Sequence, residues 1–231
     1  MGSLYLAYTV IDQFVQGKTL PDVVFKVDEF LGIDISTCLV HGEEFSVADF
    51  RKLIQDSFGD AERLLSELTY GFNCDAYLED KIFEDSANSD DGYCWLYDNR
   101  NTKLREGIDE FLKDFDTRPE LFTGRGEKVF NRVEAAKWLE KAEELLKNIL
   151  FLFHATPGQS GRASENVKIL IVNMIKCRRS ILFHHKQMII QPTNLKPESA
   201  TQKLKKVLRF PCKRLSRLLV VYLAFVRPVE A

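Results

Sequence analysis

The chain has 231 residues, of which 45% are hydrophobic and 11% aromatic, a composition that supports a folded core and excludes a disordered protein. Its net charge of −2 hides two opposite halves. Residues 1–159 carry 17 Lys and Arg against 31 Asp and Glu, whereas residues 160–231 carry 15 against three, a net charge of +12. A half this basic suggests a polyanionic partner.

The cysteines and the apolar runs narrow the class of protein further. Five scattered cysteines have neither the spacing of a zinc site nor that of a disulfide framework. The N-terminal run MGSLYLAYTV has no basic leader. The apolar runs at residues 149–153 and 218–226 are shorter than the roughly 20 residues that span a bilayer. We therefore expect an intracellular protein with no membrane partner.

The first 125 residues are predicted to form an acidic helical region. Helical spacing of apolar residues predicts helices over residues 4–14 and 23–31, and Ser46 is a plausible cap for a helix over residues 46–58. Gly59 then opens another helix through Leu68. The acidic run EDSANSDDG at residues 84–92 lacks the ligand alternation of an EF-hand, so we interpret it as a solvated loop. An amphipathic helix follows over residues 103–115.

Residues 126–231 are predicted to form a second, basic region. A helix over residues 132–153 is followed by another over residues 162–174 and by a final helix over residues 211–226. Between the last two, extended runs at residues 180–184, 188–193 and 205–210 predict a small three-stranded antiparallel sheet. The predicted fold is therefore α+β and mainly helical. For the helix over residues 132–153, the predicted core stripe is Ala135, Leu139, Ala142, Leu146, Ile149, Leu150 and Phe153.

The segment HATPGQSGRASE contains the most informative charged residue. Gly158 and Gly161 are three residues apart, and Arg162 follows where a P-loop needs lysine, so the segment does not predict nucleotide hydrolysis. An arginine at a helix N-terminus can instead grip two phosphate oxygens. The alternative is a surface arginine paired with Glu165.

Further cations cluster after residue 195 and precede or begin the last helix. A helix N-terminus disfavours positive charge, and a bound phosphate backbone would reverse that penalty. We therefore predict a DNA-binding face with phosphate contacts. Its predicted residues are Arg162, Lys196, Lys203, Lys205, Lys206, Arg209, Lys213, Arg214 and Arg217.

The element order in residues 130–231 resembles the front of a tyrosine recombinase catalytic domain. The segments DDGYCWLYDNRN, HATPGQSGRASE and RLLVVYLAFVRPVE are also similar to recombinase-like regions of fungal mobile elements, both Crypton-like and attached to RecQ-type helicases. The resemblance covers residues 90–231 and implies DNA recombination and integration through a phosphotyrosine. It also implies that Arg162 neutralises the scissile phosphate and that Lys196, or alternatively Lys186, protonates the leaving oxygen.

The departures from the family pattern predict an incomplete catalyst. His184 and His185 are followed at the third position by Gln187 and Met188, so neither forms the His-x-x-Arg box. Tyr222 lies in an apolar run, and we interpret it as a core residue rather than the nucleophile. We therefore expect a truncated, nuclear, DNA-binding protein that needs no cofactor and has no activity as this chain. The alternative is an interaction module whose acidic and basic halves dock, within one chain or between copies of a homo-oligomer.

Overall fold

The computed structural model describes residues 23–28, 32–40, 43–78, 82–123, 129–157, 169–175, 177–184, 186–191 and 208–230. Within these ranges the chain is mainly helical, with four helices of nine residues or more and small antiparallel sheets. The helix predicted over residues 4–14 lies outside the described residues.

Three strands form the first described part of the chain, and the helix predicted over residues 23–31 is wrong. Strands β1 (Val23–Asp28), β2 (Gly32–Val40) and β3 (Glu43–Ser46) make an antiparallel sheet in the order β1-β2-β3. This segment contains four valines and two isoleucines, whose branched Cβ atoms favour extended backbone. Strand pairing therefore outweighs a helical spacing that covers few residues.

Helix α1 (Val47–Leu68) is a single helix where the sequence predicted two. The Ser46 side chain accepts a hydrogen bond from the backbone N–H of Asp49 at 3.3 Å, which confirms the predicted cap. Gly59 lies inside the helix rather than at a break, because an internal glycine costs only about 1 kcal/mol and no proline interrupts the run.

Helix α2 (Thr102–Phe115) confirms the helix predicted over residues 103–115. It follows two short 3₁₀ turns, Cys74–Tyr77 and Trp95–Tyr97. The short strands β4 (Phe122–Thr123) and β5 (Val129–Phe130) pair after it. The buried side chains of α2 repeat at three- and four-residue steps and are Leu104, Ile108, Phe111 and Phe115.

Helix α3 (Arg132–Ala155) confirms the long predicted helix, but its predicted core stripe is only partly correct. Leu139, Leu146 and Leu150 are 49%, 43% and 48% exposed. The buried face is rotated from the predicted stripe, because Trp138, Leu145 and Leu152 pack into the core instead of these three leucines. The buried residues of α3 are Trp138, Ala142, Leu145, Ile149, Leu152 and Phe153.

The basic region contains a two-stranded sheet rather than the predicted three-stranded one. Strands β6 (Ile181–His184) and β7 (Gln187–Ile190) pair antiparallel. Of the predicted third strand, the structure describes residues 208–210, which pair with β7 only through a bridge between Arg209 and Ile190.

The helix predicted over residues 162–174 is wrong for its described part. Residues 169–174 are not helical, and Leu170 instead pairs with Ser180, whose backbone N–H donates to the Leu170 carbonyl at 2.7 Å. The β-branched residues of ILIVNM have low helix propensity, which helps to explain why no helix forms here.

The final helix is confirmed, although it begins at Lys213 and continues past its predicted end at residue 226. Helix α4 (Lys213–Val221) continues through a π-helical turn, Tyr222–Val226, and one more turn, Arg227–Glu230. All residues from 220 to 226 are buried, as their apolar character predicts. Helices α1, α3 and α4 pack together in a core that takes residues from both sides of position 125. The division into two regions at that position stays a prediction.

Candidate nucleic-acid interface

The structure describes four of the nine residues predicted to contact DNA. The turn between β6 and β7 carries Lys186, the alternative general acid, as an exposed residue. The five predicted contacts that lie outside the described residues are Arg162, Lys196, Lys203, Lys205 and Lys206. The four that are described lie at or just before α4 and are Arg209, Lys213, Arg214 and Arg217.

The first two of these four have opposite environments. Arg209 is only 3% exposed, and its backbone N–H and carbonyl bond to Ile190 at 3.0 and 2.9 Å. Burial therefore keeps most of this residue away from a surface that DNA could reach. Lys213 is exposed at the first residue of α4, where an anion would have free access.

Arg214 is held by a carboxylate of the acidic half. Its Nε and Nη2 donate to the two oxygens of Glu62 at 2.7 and 2.8 Å, which makes a bidentate pair between α4 and α1. The guanidinium also lies over the ring of Phe58, 4.6 Å from its centroid. The hydrogen bond from Arg214 lowers the pKa of the Glu62 carboxyl.

Arg217 forms a second pair of the same kind, one turn further along α4. Its Nε and Nη2 donate to the two oxygens of Asp75 at 2.6 and 2.7 Å. This hydrogen bond lowers the pKa of the Asp75 carboxyl. Both pairs remain partly exposed, with arginine side chains 45% and 39% accessible for Arg214 and Arg217.

In these pairs, Glu62 and Asp75 provide the negative charge that we expected bound DNA phosphates to provide. Cations in the first turns of a helix meet the positive end of its dipole. In the structure, carboxylates from residues 62 and 75 offset that penalty. The two guanidiniums thus join the basic half to the acidic half of the same chain.

A cleft of about 560 Å³ lies beside the second pair. Its walls include Phe72, Cys74, Asp75 and Arg217. Burial raises the pKa of the Cys74 thiol to about 11, so at neutral pH the sulfur is protonated and poorly nucleophilic. Among the described residues that line the cleft, no thiol is activated.

A buried ion pair that the sequence did not predict fixes the loop before α2. The side chains of Arg179 and Glu84 are each 1% exposed, and Arg179 Nε donates to Glu84 Oε1 at 2.7 Å. Arg179 Nη1 also donates to the backbone carbonyl of Asn88 at 3.1 Å, and the guanidinium lies 4.4 Å from the ring centroid of Tyr93. Burial raises the pKa of the Glu84 carboxyl, and the bond from Arg179 opposes that shift.

Asn173 adds further hydrogen bonds to the same contact. Its Nδ2 donates to the carbonyls of Asn88 and Asp90, both at 3.1 Å. Its Oδ1 accepts from Arg179 Nη1 at 2.9 Å, and its backbone N–H donates to the Tyr93 carbonyl at 2.9 Å. The segment of residues 83–93 is therefore tied to Asn173 and Arg179 by hydrogen bonds.

No periodic signal in the sequence identifies this contact. Glu84 begins a run of acidic and polar residues, which is typical of a solvated loop, and Arg179 follows another arginine. The loop interpretation holds for the exposed residues Asp90 and Asp91 but not for Glu84. The sequence alone does not distinguish a charged residue that is buried in an ion pair from one that is exposed to water.

Tyr222 has the environment of a core residue, which confirms its interpretation. It is 4% exposed, and its hydroxyl donates to the Glu230 carboxylate at 3.0 Å. Burial raises the pKa of its hydroxyl to about 12. In this state the phenol is protonated and enclosed.

The described residues offer no group of three or more His, Cys, Asp or Glu side chains placed to hold a metal ion. None of the helices in the described part of the chain is long and apolar enough to cross a bilayer. No protein-family model, curated protein or solved structure matches the chain.

Proposed function

We propose that the chain is a recombinase-like protein that binds duplex DNA through its phosphates without cutting it. The observation that carries the proposal is the net charge of +12 in residues 160–231. The described elements support it only in part, because a long helix, an antiparallel hairpin and a further helix follow one another, while the described end of the helix predicted over residues 162–174 is not helical. A nuclear location follows from this function.

The proposed footprint is smaller than the sequence alone suggested. Arg214 and Arg217 each hold a carboxylate through two hydrogen bonds, and Arg209 is buried, so DNA would have to compete with the fold for these three. We therefore assign the phosphate contacts to the remaining cations. These are Arg162, Lys196, Lys203, Lys205, Lys206 and Lys213.

The proposed lack of strand cleavage rests on the state of Tyr222. A tyrosine nucleophile must reach a phosphorus atom and lose its proton as it attacks. Tyr222 is enclosed, bonded to Glu230, and has a pKa raised to about 12. Arg162 and Lys196 then serve binding rather than catalysis.

Docking of the two halves is a second candidate function, and the pairs of α4 favour it. Arg214 with Glu62 and Arg217 with Asp75 connect basic to acidic residues more than 140 positions apart in the chain. A protein whose charges are arranged mainly to bind one another would have little affinity for DNA. Salt-dependent binding to duplex DNA separates the two candidates.

The test measures anisotropy of a labelled duplex of arbitrary sequence at salt concentrations from about 50 to 200 mM. We expect an affinity that falls steeply with salt. Replacing Lys203, Lys205 and Lys206 together with glutamine should lower the salt slope by about one for each phosphate that is no longer neutralised.

The matched control replaces Arg214 and Arg217 with glutamine. It removes two positive charges from the same region, yet we expect an unchanged salt slope because both groups are held by carboxylates. An equal reduction of the slope in this control would contradict the assigned footprint. Absence of binding at about 50 mM salt would contradict DNA binding and leave the docking function.

A further inference from the structure

Helix α3 carries an exposed apolar face in addition to its buried one. Leu139, Leu146 and Leu150 are 49%, 43% and 48% exposed, although leucine is normally buried. With Ala136 and Glu143, which are also exposed, they recur at alternating steps of three and four residues. We call these five residues the α3 seam.

The spacing of the α3 seam is that of a coiled-coil interface. In heptad notation Ala136, Glu143 and Leu150 occupy a positions, and Leu139 and Leu146 occupy d positions. A seam of this kind is completed by a second helix whose a and d side chains fill the gaps between its own. The seam thus fits another helix better than a flat surface or a small molecule.

We propose that the α3 seam packs antiparallel against the same seam of a second copy of the chain. In an antiparallel pair an a residue faces a d residue of the partner helix, and one register places Leu139 opposite Leu150 in both end layers. The two central layers then contain Glu143 opposite Leu146. A two-fold axis between these central layers generates the whole interface from one surface, as an isologous dimer requires.

The flanking charges select both the partner and the register. In this register Glu140 of one copy faces Lys147 of the other, twice, on the side of the helix that points away from the core. Sliding the helices by one heptad would place Glu140 beside Glu140, which repulsion disfavours. In a parallel pair the e position of one helix lies beside the g position of the other, so Glu140 and Lys147 would face Ala135 and Ala142 and the opposite-charge pairs would be lost.

Glu143 makes the interface weak and reversible. It bonds to Lys147 of its own helix at 2.8 Å, so its charge is partly offset, but a carboxylate in two central layers still replaces apolar contact. A single helix seam also buries less than the roughly 800 Å² per partner of a standard interface. We therefore expect a dimer that forms at about micromolar concentration or above.

Sedimentation equilibrium of the full chain without DNA tests the proposal. We expect a monomer–dimer equilibrium that Leu139→Asp weakens at least tenfold. Glu143→Leu should strengthen it at least tenfold, because the central layers then contain only apolar side chains. Dimerisation that neither substitution changes would place the interface elsewhere and overturn the proposal.

A charge swap tests the register and identifies the occupant. Glu140→Lys and Lys147→Glu should each weaken the dimer several-fold. The double variant should dimerise more tightly than Lys147→Glu alone but more weakly than the wild type, because Lys147→Glu also removes the partner of Glu143. Glu144→Lys is the matched control, since Glu144 is exposed on the same helix but lies outside the flanking positions. Weakening without recovery in the double variant would overturn the antiparallel register.

A monomer at every concentration, for both the wild type and Glu143→Leu, would also overturn the proposal. It would mean that another segment of this chain or a different protein covers the α3 seam. Because DNA is absent from these measurements, their failure leaves the proposed DNA binding untouched.

Discussion

The buried ion pair between Arg179 and Glu84 should contribute strongly to the stability of the fold. Both are almost fully buried, and the guanidinium also satisfies the carbonyls of the loop that carries the glutamate. Removing two charges from water costs several kcal/mol each, so the pair is tolerated only because its hydrogen bonds are made together. Either charge alone would be strongly unfavourable at this place.

Replacing Arg179 with methionine should therefore lower the free energy of unfolding by about 3–5 kcal/mol, because it leaves the Glu84 carboxylate buried without a cation. Urea denaturation followed by circular dichroism measures the change. The neighbouring Arg178 is exposed, and Arg178→Met should change stability by less than about 0.5 kcal/mol. Removing both charges with Arg179→Met and Glu84→Leu should recover much of the stability; equal destabilisation by the Arg178 and Arg179 variants would contradict this account.

Helix α2 approaches the 3₁₀ turn Cys74–Tyr77 more closely than a side chain would allow. A Cβ atom added at Gly107 would lie 2.4 Å from Cγ of Tyr77 and 2.5 Å from its Cβ. The hydroxyl of the same tyrosine donates to Glu110 of α2 at 2.5 Å, so the ring contacts the helix at both its Cβ end and its hydroxyl end. Glycine is needed here for the distance between two elements, not for a positive φ angle.

Gly107→Ala should consequently lower the free energy of unfolding by about 1–3 kcal/mol, although alanine favours helices. The matched variant Gly59→Ala lies inside α1, where no atom comes within 4 Å of the added Cβ. It should raise stability by up to about 1 kcal/mol, since only helix propensity changes. Denaturation midpoints of the two variants should move in opposite directions; a shift in the same direction would contradict the packing argument.

Long amphipathic helices were the part of the fold that the sequence predicted well. Residues 103–115 and 132–153 repeat apolar residues over several turns, and such a repeat has few competing explanations. Residues 23–31 contain too few repeats to distinguish a helix from a strand. Only the pairing of β1 with β2, which the sequence of this segment alone does not show, identifies it as a strand. The position of the core face of α3 depended on which apolar side chains find a partner, and spacing alone gives no information on that.

The candidate site was predictable as a set of charges but not as a geometry. Composition shows that the basic residues concentrate after position 160. It cannot show that Arg214 and Arg217 meet carboxylates more than 140 residues earlier in the chain, because those contacts arise only when α4 packs on α1 and the turn after it. Net charge thus predicts a polyanionic partner, while the tertiary contacts determine which cations are left to bind it.

Two ion pairs connect the acidic half of the chain to the basic half. Glu62 and Asp75 receive two hydrogen bonds each from Arg214 and Arg217, and these bonds lower the pKa of both carboxyls. A carboxyl with a lowered pKa in the folded state stabilises the protein above its unfolded pKa of about 4. That contribution is lost as the pH falls through the lower, folded value.

Stability should hence fall in acid partly through these two groups. Because the pairs are partly exposed, we expect Glu62→Gln with Asp75→Asn to cost about 1 kcal/mol in total at pH 7. This cost should shrink as the pH falls through the acid range and the wild-type carboxyls become protonated. Urea titrations across this pH range measure the difference. Asp56→Asn, exposed on α1, serves as the control; a cost that persists undiminished in acid would rule out the ion pairs as its source.

On the ribosome, Glu84 emerges 95 residues before the arginine that neutralises it. Until Arg179 has left the exit tunnel, the loop ahead of α2 has no cation to bury with its carboxylate, so this loop should stay hydrated while α1 and α2 are already available to form. A nascent chain arrested near position 160 should then expose residues 83–93 to proteases, and one arrested well beyond the C-terminal helix should protect them. Completion of the N-terminal half thus waits for synthesis of the C-terminal one.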